Sequence, residues 1–273
     1  MMSKIYSGEQ RFWQAMLYAI SALVIGFLII PILIVVPLSF SGGNSLQYPL
    51  EGLSLRWYEE ILFTPVWRAS LENSIIVASL TTVVSTVLGT MAAIGLSNPK
   101  SLLFKPLYGL LVLPMVVPLI ITALGIYFAF AYAGLLGSYV GLVMAHSLLA
   151  APFVLVTVHA SLQRFDWTLM QAGASLGGRP LKVFLEIMLP LILPGVASGA
   201  AFAFVISFDE VVVALFISSP TTKTMPIQLF SNLKFQLTPA IVAASCIMIA
   251  ISLFFAVIAE VLLPYLRQRR IKR

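Results

Sequence analysis

The chain has 273 residues, 60% of them apolar and 10% charged, with a formal net charge of +6 and a mean hydropathy of +1.03. A water-soluble domain of this length does not carry such a composition, so the bilayer is read as the solvent. The single cysteine, Cys246, excludes a disulfide framework or a cysteine metal site within the chain. The basic balance, with no soluble domain to present it, points to membrane lipid and not to nucleic acid.

Crossing about 30 Å of hydrocarbon takes roughly 20 helical residues. Apolar runs near 13–38, 71–96, 106–132, 138–160, 191–217 and 240–264 therefore predict six spans in an all-α, polytopic membrane protein. The first run follows Lys4 and Arg11 as a signal peptide would, but it is too long for one and is read as an uncleaved span. Pro31, Pro37, Pro114, Pro118 and Pro152 fall in or near spans and predict kinks more than breaks.

An even number of spans puts both termini on one face. Lys4, Arg11, Lys100, Lys105, Arg164, Arg179, Lys182 and the tail from Arg267 place twelve basic residues on that face, against Arg56, Arg68, Lys223 and Lys234 opposite. By that asymmetry both termini are cytoplasmic. The chain then divides into an N-terminal part with the first span and an outer segment (1–70), a core (71–265) containing a long cytoplasmic loop (164–190), and a basic tail (266–273). In the outer segment, Trp57, Tyr58 and Trp67 suit an amphipathic interfacial helix better than a ligand site.

The loop after the fourth span is longer than a plain connection needs. Asp166 can cap a short helix with Leu169, Ala172 and Leu176 on one stripe. Gly177 and Gly178 permit a left-handed stop, and Pro180 can start a second short helix carrying Val183, Phe184 and Ile187. No G-x4-G-K-[ST] phosphate loop occurs. His146 and His159 lack a neighbouring nucleophile or metal-ligand spacing, so neither a catalytic residue nor a metal site is expected.

In the fifth span Asp209 and Glu210 interrupt the run AFAFVISFDEVVVALFIS. A charge at a helix centre costs about 2.5 to 3.5 kcal/mol in insertion, and no Lys or Arg lies in any span to offset it. Asp209 would lie about 7 Å from the span's centre near Phe204, in the outer half. Water, a partner subunit or a cationic substrate can supply the missing charge, or the acids can be protonated. Phe202, Phe208, Tyr127 and Tyr132 could add cation–π contact to an amine on the same path.

The loop resembles the E-A-A-x3-G-x9-I-x-L-P signature of ABC importer permeases, here Gln171, Ala172, Gly173, then Gly177, Ile187, Leu189 and Pro190, with every spacing kept. The departures are Gln for Glu at 171 and Gly for Ala at 173. The resemblance implies a type I permease whose loop, with Ser175 and Leu176 at its corner, docks on an ATPase. The stretch from Ser207 to Ser245 is similar to spermidine/putrescine importer permeases. That likeness implies a second homologous permease subunit, two ATP-binding cassette subunits holding ATP and Mg, and a periplasmic binding protein that delivers a polyamine. Related permeases serve opines or 4-aminobutyrate, and the acidic pair does not separate these. An ion-coupled secondary carrier is the rival class, but no paired halves are visible.

Overall fold

With no water to bond in hydrocarbon, each peptide group of a spanning segment must be satisfied within it, and helices do this. The computed structural model describes residues 8–97, 104–235 and 237–259. Its long helices are α1 (Gly8–Leu38), α3 (Pro65–Gly95), α6 (Tyr139–Leu162), α9 (Leu189–Phe208) and α12 (Pro239–Val257). Between them lie α2 (Arg56–Phe63), α4 (Phe104–Val112), α5 (Leu119–Ala133), α7 (Thr168–Ser175), α8 (Pro180–Val183), α10 (Val212–Ile217) and α11 (Met225–Phe235). Lys4, Lys100 and the basic tail 266–273, on which much of the expected orientation rests, lie outside the described residues.

Among the described residues five helices are long and apolar enough to cross a membrane, or six where a sharply bent pair counts as one broken span. That pair corrects the third expected span. Instead of one kinked helix over 106–132, Pro106–Met115 and Leu119–Ala133 meet at 99°. Pro118 cannot donate to the helical ladder and pushes the residue before it out of the helical region, so the chain breaks there.

Two compact units are formed by Met1–Leu62 with Gln236–Ile247, and by Phe63–Phe235 with Met248–Arg273. In the first, the segment after α1 folds back as a bridge between Ser41 and Leu53. Trp57 is buried there, its Nε1 donating to the Ser41 carbonyl at 2.9 Å, and the Tyr58 hydroxyl bonds Ser39 at 2.6 Å. The expected amphipathic helix is α2, but its Trp57 anchors this fold and does not lie free in the interface.

In the second unit α3, α6 and α9 pack on one another. Between lipid-facing helices no water is released on contact, so close approach through small residues has to supply the attraction. Gly199 of α9 meets α6 so tightly that a Cβ would lie 2.6 Å from Thr157 Oγ1 and 3.0 Å from Val154 Cα. Higher up, His146 of α6 is fully buried and its Nδ1 pairs with Ser207 Oγ of α9 at 2.9 Å. His146 thus sits inside the helix packing, between α6 and α9.

Candidate coupling loop and substrate path

Both candidate regions flank α9, and the loop at its start is built by local chemistry. Asp166 Oδ1 accepts from the Thr168 amide at 3.0 Å and the Thr168 hydroxyl at 2.8 Å, which fixes the first turn of α7. The same bonds, the hydroxyl's first, hold the Asp166 carboxyl below the usual carboxylate range. At the other end Gly177 has φ +80°, its amide donates to Ala174 O at 2.9 Å, and the Gly178 amide donates to Gly173 O at 3.1 Å. That pair of bonds is a Schellman stop, which requires a left-handed residue at Gly177.

Gly173 is the buried residue of α7. A Cβ there would lie 2.9 Å from Ile187 Cδ1 and 3.0 Å from Val183 Cγ1, so the two arms of the loop touch at this glycine. The opposite face of α7 carries Leu169, Gln171, Ala172 and Ser175, all exposed, and the corner Leu176 is 89% exposed. Leu169, Ala172 and Leu176 thus form a stripe turned away from the rest of the chain.

The second arm differs from the expected separate short helix. α8 runs on through a π-helical stretch, Phe184–Met188, directly into α9. Pro190 has no N–H to give to the carbonyl four residues earlier, and a widened turn before it absorbs the missing bond. Ile187, Leu189 and Pro190 therefore lie on one continuous helix from Pro180 to Phe208.

At the far end α9 stops at Phe208, which corrects the reading of Asp209 and Glu210 as neighbours on one helix through 217. Asp209 caps α9, its amide bonded to Val205 O at 3.1 Å, with its side chain exposed. Glu210 is 8% exposed, and its Oε1 accepts the Val213 amide at 2.8 Å, capping α10. One acid is free and the other holds the break open. Neither pairs with a basic side chain among the described residues.

The aromatic candidates separate. Tyr127 of α5 lies 6.4 Å from Phe216 of α10, ring to ring, which brings it to the helix that follows the break. Phe202 is 48% exposed two turns before Asp209, beside Phe153 of α6. Tyr132 is 97% exposed, and Phe208 is buried in a stack with Phe204 at 5.3 Å.

Asn73 was not singled out in the sequence, yet it ties the stretch after α10 to α3. Its Nδ2 donates to Thr221 O at 3.1 Å and Lys223 O at 2.9 Å, and its Oδ1 accepts from the Tyr139 hydroxyl at 2.5 Å. The next residue, Ser74, accepts the Met225 amide at 2.8 Å. A primary amide placed just after Arg68 and Glu72, where α3 turns to apolar and hydroxyl residues, was the signal available.

Residues 85–270 match the family described as binding-protein-dependent transport system inner membrane component. The chain belongs to this family: it is a multi-pass transport permease of the kind found in ABC importers. Over 241 residues it is 32% identical to the spermidine/putrescine transport system permease protein PotC of Haemophilus influenzae, covering 88% of this chain and 93% of that one. Over 255 residues it is 30% identical to the putrescine transport system permease protein PotI of Escherichia coli K12, covering 90% of each. Among solved structures, a chain of a bacterial ABC transporter that imports the acidic polysaccharide alginate superposes with a TM-score of 0.68 at 16% identity, over 93% of this chain and 97% of that one. At that identity the likeness speaks for the fold.

Proposed function

We propose that the chain is one of two homologous permease subunits in an ATP-driven polyamine importer, with two ATP-binding cassette subunits against the loop and a periplasmic binding protein opposite. Both termini are cytoplasmic, as the twelve-to-four distribution of basic residues supports. ATP and Mg are held by the cassette subunits, and this chain contributes no catalytic or metal site. The residues 171–190 dock in a cassette cleft by shape, through the α7 face and the Gly177 corner.

The observation that carries the substrate reading is the helix break, where a free Asp209 stands in an apolar chain beside a Glu210 already engaged in capping. A carboxylate at that depth is costly without a partner, and a protonated amine supplies one. Relatives named for spermidine and putrescine point to the same class. Tyr127, which meets Phe216 on α10, and Phe202, exposed two turns before Asp209, are the aromatic candidates for walls of this path, with Tyr132 outlying.

The test is ATP-dependent uptake into vesicles holding the assembled complex, with putrescine, spermidine and 4-aminobutyrate in competition. Asp209→Asn should cut polyamine uptake about tenfold, the scale of one charge-assisted contact, with the complex still assembled. Unchanged uptake and unchanged preference among the three would overturn the substrate assignment.

A further inference from the structure

The face of α9 that ends at Asp209 continues inward along the helix. The Asp209 amide still bonds Val205 O at 3.1 Å, so the helical register holds to that residue. Ser198, Phe202, Val205 and Asp209 follow one another at steps of four, three and four residues, which at about 100° per residue keeps all four within about 60° of one another. All four are exposed or half-buried, whereas Ala201, Ala203, Phe204 and Phe208 on the other side of the helix are buried. A charged side chain in a span turns to the bundle interior or to a watery path and away from lipid. Phe202, 48% exposed on the side that Asp209 marks, therefore faces the same path.

The chemistry differs between the two ends of this face. Asp209 offers a carboxylate. At Phe202 there is none, since no charged residue lies between Leu189 and Phe208. What stands there is a pair of rings, Phe202 and the half-buried Phe153 of α6, with centroids 6.4 Å apart and planes tilted by 32°. The Ser198 hydroxyl follows one turn further in. An ammonium within about 6 Å of a ring centroid is drawn to the ring's negative face. Val205, between the two levels, presents only apolar surface, which suits methylene groups.

The spacing sets a length. Asp209 and Phe202 lie seven residues apart, about 10.5 Å along the axis at 1.5 Å per residue. An extended chain of single bonds advances about 1.2 Å per bond. The terminal nitrogens of spermidine, nine bonds apart, then stand about 11 Å from each other, and those of putrescine, five bonds apart, only about 6 Å. We infer that Phe202, backed by Phe153, is a second ammonium site of the path, which holds spermidine by both ends and putrescine by one. The assignment rests on Asp209 being a substrate contact, and the test keeps the two claims apart.

The experiment compares maximal uptake rates of spermidine and putrescine into vesicles holding the assembled complex, at saturating loaded binding protein. One binding protein serves every variant, so a changed ratio reports on the permease. Phe202→Leu should lower the spermidine-to-putrescine ratio about fivefold, the weight of one cation–π contact. Phe202→Tyr keeps a ring and should keep the parental ratio. If Phe202→Leu does not assemble, Phe202→Met carries the same test. Asp209→Asn should lower both rates. Both rates lowered by Asp209→Asn with a ratio unmoved by Phe202→Leu overturns the second site and leaves the substrate contact standing. Rates and ratio unmoved by either variant overturn both. A ratio that falls as far in Phe202→Tyr as in Phe202→Leu assigns the effect to packing and overturns the second site, as does a parent complex that carries no spermidine.

Discussion

The two ends of α9 interrupt the chain by opposite means. At its start the loop is stopped by backbone freedom: Gly177 adopts φ +80° with open space around its missing Cβ. At its end the break is held by a side chain, the Glu210 carboxylate on the Val213 amide, in a buried setting. A stop made of backbone geometry tolerates changes of charge and fails with a change of dihedral. A stop made of a capping acid should do the reverse.

The largest effect should come from Gly177→Pro. Proline fixes φ near −65° and cannot enter the left-handed region, so the Schellman turn is lost. ATPase stimulation by loaded binding protein should fall to background while membrane insertion stays normal, and preserved stimulation would refute docking by shape. Gly177→Ala keeps the turn at about 1 to 2 kcal/mol of strain and should weaken coupling without abolishing it.

Glu210 sharpens the other half of the comparison. Glu210→Ala removes the cap and should cost about 1 kcal/mol in thermal unfolding. Glu210→Gln keeps an oxygen for the Val213 amide and should unfold like the parent. If the two variants unfold alike, the carboxylate is not acting as a cap.

The smallest effect is expected at Asp166. Its folded pKa is lowered by the bonds from Thr168, so those bonds stabilise the loop above the unfolded value near about 3.9 and are lost as pH falls through the folded one. Hydrogen exchange in α7 should therefore rise on acidification below about pH 4, and Asp166→Asn should remove that dependence. An identical acid response in the variant would assign the loosening to other groups.

Much of the loop was legible because its determinants are local. Asp166, Gly177 and Pro180 act on peptides within a few residues, and sequence order alone puts them in place. Hydropathy likewise located every span. The misreadings share one cause. Pro118, Pro190 and Glu210 each act by withholding or capturing a backbone hydrogen bond, and a hydropathy run does not register that. The Asn73 tether was hidden for another reason, since its partners lie about 150 residues away in sequence.

The unbroken helix from Pro180 to Phe208 has 29 residues, about 43 Å at 1.5 Å per residue. It begins in the loop and ends at Asp209, while Asn73 anchors the stretch beyond α10 to α3. Mechanically this is a lever with a fixed stop beyond its far end. A tilt of about 5° would sweep its tip through about 4 Å, so a small rotation at the loop becomes a displacement of atomic size where Asp209 stands.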